Sequence, residues 1–175
     1  MSTNVIGVRN CRDQFGPNKP CLMKKAAAMA NPYREAQDFA QAFGQTEYTL
    51  KRCGYLRKNK DIAEADWDEF AKTLGPDFFQ HIVTSGIAIT LVGNPPRRLL
   101  ANMEWSPEKT QPLTNVTQLI VNGVCRVRNS YLHGEKFVGG PEGQFERDAT
   151  LVIEAHAVLR EAVRVFINVY KEPKG

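Results

Sequence analysis

Apolar side chains recur at three- and four-residue steps over three long stretches of this chain, the spacing that turns one face of a helix toward a core. In the first stretch Asn31 offers an N-cap and Pro32 suits the first helical position. Ala36, Phe39, Ala40, Phe43, Leu50 and Gly54 then form a stripe that predicts a helix running to about Leu56. Glu47 falls on the same stripe, four residues after Phe43 and three before Leu50, and a carboxylate on a buried face needs a partner. The second stretch predicts a helix from Leu113 to His133, with Val116, Leu119, Ile120, Val124, Val127 and Tyr131 on its apolar side. The third takes Asp148 as its N-cap and carries a wide core face of Leu151, Val152, Ala155, Val158, Leu159, Ala162, Val165, Phe166 and Val169.

Shorter elements lie between them. Asp61 to Leu74 reads as a helix, with Asp66 and Glu69 spaced as a capping box and Trp67, Phe70, Ala71 and Leu74 on one face; Gly75-Pro76 stops it. Phe78, Phe79, Ile82 and Val83 predict one more helical piece. The β-branched run from Ile87 to Val92 suggests extended chain, Asn94-Pro95-Pro96 a turn, and Ser106 to Pro112 a loop, so that residues 84–112 form an irregular insert. Phe137 to Phe145, rich in glycine, reads as a flexible connector, and residues 1–30 as a loosely ordered arm ahead of a helical domain spanning 31–175. The expected fold class is all-α.

A chain of 175 residues is long enough for one self-sufficient core, and 42% hydrophobic with 24% charged residues is the balance of a globular protein. The net charge of +4 is compatible with a polyanionic partner without establishing one. Cys11, Cys21, Cys53 and Cys125 form no C-x-x-C pair and have no paired histidines to complete a zinc site, so they read as reduced thiols of a cytoplasmic protein. Lys24 and Lys25 precede only a short Ala/Met run, unlike a secretory signal, and no stretch approaches the roughly 18 apolar residues of a membrane span. No metal or other cofactor is expected.

The chemistry-bearing stretch is Val127-Arg128-Asn129-Ser130-Tyr131-Leu132-His133-Gly134-Glu135-Lys136. Asn129 and His133 are four apart and share a helical face, whereas Arg128 and His133 diverge by about 140° on an unbroken helix. The helix must therefore end here, and Gly134 supplies a left-handed position past its terminus without steric cost. Arginine offers a permanent forked cation for phosphate oxygens. Histidine exchanges protons near neutrality, and Asn129 can hold its ring in one tautomer. A cation with an imidazole is the minimum needed to cleave RNA through its own 2′-hydroxyl.

This stretch resembles the R-x4-H signature of the HEPN superfamily, in the tighter form RNxxxHGxK. The segment Phe39 to Arg52 is similar to the F-x3-F-x3-E-Y-x-L-K-R segment that precedes an RNN-type signature in some bacterial members, with Ser130 here in place of the second Asn. The resemblance covers about residues 32–170. It implies a bundle of three long helices plus short ones, and a metal-independent endoribonuclease of toxin or phage-defence systems. It further implies a homodimer in which two motifs meet, and the possibility of an antitoxin partner. Arg128, His133, Asn129 and Glu47 are the implied catalytic set, Glu47 lining the groove and pairing with Arg128. Arg126, Lys136, Arg97 and Arg98 are candidate RNA-binding residues. A non-catalytic module binding RNA or a nucleotide, and a helical scaffold, are the alternative readings. His81 and His156, beside apolar stripes, read as satisfied, partly buried histidines, and Ser130 has no base arranged to make it a nucleophile.

Overall fold

A computed structural model of the protein describes residues 32–98, 100–102, 104–106, 110–132 and 142–171, the side chains at 32–34, 131–132, 142–145 and 169–171 excepted. The expected arm at 1–30, most of the 137–145 connector, and His133, Gly134 and Lys136 lie outside the described residues. Among those described the fold is all-α: α1 Pro32–Arg52, α2 Trp67–Leu74, α3 Pro76–Ser85, α4 Ile89–Gly93, a π-helical segment Gln118–Cys125 running directly into α5 Arg126–Leu132, and α6 Glu142–Lys171.

α1 stops four residues before the expected end. Gly54 takes a left-handed conformation at φ 85°. The amide of Tyr55 then donates to the Leu50 carbonyl at 2.9 Å and that of Gly54 to Lys51 at 3.3 Å, the paired bonds of a Schellman motif. Gly54 is thus the terminator of the helix and not a member of its stripe. The chain returns through an antiparallel bridge between Leu56 and Ala65, supported by the Arg57 amide donating to Glu64 and that of Asp66 to Tyr55. This pairing engages residues 64–66, so α2 begins later than periodicity suggested. Asp66 caps it, its carboxylate accepting from the Glu69 amide at 3.0 Å.

The extended reading of Ile87–Val92 is overturned, because α4 is a helical turn. Its N-cap, Ala88, has no side-chain acceptor. Glu154 of α6 supplies one from 63 residues away, accepting from the amides of Leu91 at 2.6 Å and Thr90 at 3.2 Å. A carboxylate on orphan N–H groups offsets the missing cap and the local dipole, which outweighs β propensity. α6 itself starts at Glu142, six residues before the expected Asp148 cap.

The core is built where α6 lies along α1 and the rod of residues 116–132 packs against both. Leu151, Val152, Ala155, Val158 and Ala162 of α6 are fully buried, as are Leu119, Ile120, Val124 and Val127 of the rod, with Phe39 and Leu50 of α1 nearly so. Phe70 and Ile82 close the remaining side. Gly123 lets the rod approach the insert: a Cβ there would lie 3.2 Å from Leu113 Cδ1 and 3.4 Å from Leu91. A run of aromatic contacts ties α1, α2 and α6 together, from Phe43 on Trp67 through Phe70 to Phe166 and Tyr55.

Removing the remote cap tests this account of the insert. Glu154→Ala is expected to cost about 1–2 kcal/mol, read as a lower urea midpoint with an unchanged slope, and Glu154→Gln less. An unaltered midpoint for the alanine variant would contradict it.

Candidate active site

The motif helix brings Arg128 out of the core at the end of the rod, one position past the fully buried Val127. Its guanidinium lies over the ring of Phe43 of α1, 5.3 Å from the centroid. Phe43 is itself stacked on Trp67, with centroids 4.4 Å apart and planes 28° from parallel. A cation on an aromatic face that cannot rotate away is held by about 0.5–2 kcal/mol. Arg128 Nη1 donates to the Asn129 side-chain oxygen at 3.1 Å. Its Nε–H is closed off from solvent and has no hydrogen-bond partner among the described residues. The cation is therefore fixed in direction.

Glu47 does not pair with Arg128. It is half-buried and forms an ion pair with Lys51, one turn on in α1, at 2.8 Å; this is the favourable i,i+4 order on a helix. The buried polar residue of the α1 stripe is Thr46, 8% exposed. Its hydroxyl donates to the Ala42 carbonyl at 2.8 Å, satisfying itself as threonines do in helices. Glu47 nonetheless belongs to the same neighbourhood. Burial pushes the Cys125 thiol up to about 12; Arg128 acts against that shift, while Asp68 and Glu47 add to it and Arg57 lowers it. The field of one thiol thus registers Arg128, Glu47, Asp68 and Arg57 together, with Arg57 and Asp68 paired at 3.5 Å.

Of the expected catalytic set, Arg128 and Asn129 are in contact and Glu47 has no bond to either among the described residues; His133 lies outside the described residues. The basic candidates divide. Arg97 turns into its own loop, its Nε donating to the Ser106 carbonyl at 2.6 Å. Arg98 and Arg126 line one cleft, and Lys136 lies outside the described residues. Arg126 and Arg128, two residues apart, face about 200° from each other, so Arg126 does not widen the surface around Arg128. His81 is exposed, contrary to expectation, and is hydrogen-bonded to Glu161 at 3.0 Å; His156 is half-buried against Phe39. Phe43 as the platform for Arg128 escaped the sequence reading. It was legible as a core position, but no spacing links it to a residue 85 positions on.

Comparison of the chain with protein-family models, with curated proteins and with solved structures finds no match. Among the described residues no three His, Cys, Asp or Glu side chains gather as a metal site would need, and no helix is long and apolar enough to cross a membrane.

The raised Cys125 thiol has a direct readout. With its ionisation displaced to about 12, Cys125 should resist iodoacetamide in the native protein at mildly alkaline pH, while exposed Cys53 is modified; both should react in urea. Peptide mapping showing equal native rates would contradict the burial of this thiol.

Proposed function

We propose that this protein is a metal-independent endoribonuclease of the HEPN type, working as a homodimer. The observation that carries the reading is the guanidinium of Arg128, held over Phe43 at the end of the penultimate long helix with its Nε–H unpartnered, five residues before His133. The arrangement of three long helical stretches, the second carrying the described part of this motif, agrees with it.

The chemistry follows from the groups. The 2′-hydroxyl of a ribose attacks the adjacent phosphorus while its proton passes to one imidazole. The 5′-oxygen leaves as it takes a proton from another, giving a 2′,3′-cyclic phosphate and a 5′-hydroxyl. One imidazole cannot readily serve as base and acid on one phosphate, so His133 of each of two chains would share a groove around a two-fold axis. Arg128 offsets the charge that builds on the phosphorane. Asn129 orients the pair, and Glu47 sets the local field. A place in a toxin or phage-defence system, with an antitoxin to silence the groove, belongs to the same proposal.

Incubation with total cellular RNA tests it. Cleavage should persist in EDTA and leave cyclic phosphate ends; activity abolished by chelation and restored only by a divalent ion would sink the mechanism. His133→Ala and Arg128→Ala should each lose about a hundredfold or more in rate while remaining folded, Arg128→Ala melting lower only by the loss of its contact with Phe43. Binding without cleavage would instead identify a non-catalytic RNA-binding module. Light scattering should report twice the chain mass, and an active monomer would contradict the shared groove.

A further inference from the structure

On the face of the rod turned away from Arg128, a cleft of about 650 Å³ opens between the rod and the insert, lined by Arg98, Ser106, Thr114, Gln118, Asn122 and Arg126 among others. None of its described lining residues is acidic. Gln118, Asn122 and Arg126 are spaced four apart, and the first two lie in the π-helical segment. The i→i+5 bonding of a π-helix widens the turn, which keeps residues four apart closer to a straight row than an α-helix would. Such segments are often found where a helix serves a site.

The polar groups of this row are sorted by sign. The Gln118 side-chain oxygen accepts from the Thr114 amide at 2.9 Å and from its hydroxyl at 3.2 Å. The Asn122 side-chain oxygen accepts from Arg126 Nη2 at 2.7 Å. The oxygens that would repel an anion are thereby engaged within the protein, and both amide NH2 groups are left as donors. Arg98 is pinned by its backbone, its amide donating to Ser106 Oγ at 3.0 Å and its carbonyl accepting from the Ser106 amide at 2.8 Å. Its exposed side chain has no ion pair among the described residues. The Arg126 guanidinium is lowered from its usual value, first by burial and then by the charge of Arg98, so the two cations lie within each other's field. Like charges held together in a cleft whose described lining has no carboxylate are relieved by a bound anion.

We propose that this cleft binds a backbone phosphate of RNA, at a site separate from the Arg128 motif. The ribonuclease reading supplies the choice of polyanion; the anion site itself rests on the cleft alone. Its described lining includes no aromatic side chain on which a base would stack, which favours the phosphate over the nucleobase. The site holds nucleotides away from the cut and adds affinity, leaving the chemical step to the motif.

The test is fluorescence anisotropy with a labelled 2′-O-methyl oligoribonucleotide, which cannot be cleaved by its own hydroxyl. Arg98→Ala should weaken binding about tenfold and flatten the salt dependence by about one ion, while Arg98→Lys keeps most of that slope. Arg126→Gln should act in the same direction, and Arg98→Ala in a cleavage assay should raise KM with kcat unchanged. Identical binding by wild type and Arg98→Ala would overturn the proposal even if RNA is cut. Arg98-dependent binding without any cleavage would uphold it while removing the ribonuclease reading. Displacement of the oligonucleotide by a mononucleotide at equal phosphate concentration would overturn the assignment to an RNA backbone.

Discussion

The ring of Phe43 is shared between the core and the motif. It is 4% exposed, stacks on Trp67 with centroids 4.4 Å apart and meets Phe39 edge-on at 6.1 Å, and it carries the guanidinium of Arg128 at 5.3 Å. Any displacement of α1 against the rod therefore moves the cation with it. The same coupling works in reverse: Val127, fully buried beside Arg128, fixes the rotation of the rod. Arg128 then has one place to go. Dispersion within the aromatic run and apolar burial along α6 provide the stability, and the direction of the cation is a by-product of that packing.

The rod separates two basic environments. Toward α1 it presents Arg128 on an aromatic platform, and Glu47, paired with Lys51, and Asp68, paired with Arg57, act with it on the Cys125 thiol. Toward the insert it presents Arg126 beside Arg98, where the described lining has no acid. The first environment orients a cation and the second accumulates charge. Under the proposed ribonuclease reading, that division separates holding the polyanion from acting on one phosphate of it.

Much of the bundle was legible because helical periodicity is a local signal. Phe39, Phe43 and Leu50, or Leu151, Val152 and Ala155, declare a face without help from the rest of the chain, and the structure buries each of them. Errors fell where a non-local group decides. Residues 89–93 are helical because Glu154, 63 residues ahead of Leu91, caps them. Residues 64–66 are held out of α2 by pairing of Ala65 with Leu56. In each case the tertiary partner overrode local preference. Glu47 was misplaced for a different reason: on a helix of 3.6 residues per turn, positions 46 and 47 both border the stripe, and the buried one is the threonine that can satisfy itself. The Arg98–Arg126 cleft was beyond sequence reasoning, since it joins residues 28 apart through a loop whose course no pattern encodes.

The central claim is that Phe43 places Arg128 for chemistry on RNA. A double-mutant cycle with Phe43→Leu and Arg128→Ala, read in both melting and RNA cleavage, tests it most directly. Phe43→Leu keeps an apolar core side chain but removes the platform, so cleavage should fall about ten- to a hundredfold through misplacement of the cation. The same substitution in the Arg128→Ala background should cost nothing further in rate. An equal loss from Phe43→Leu with and without Arg128 would show that the ring serves the core alone, and that the cation acts, if at all, without it.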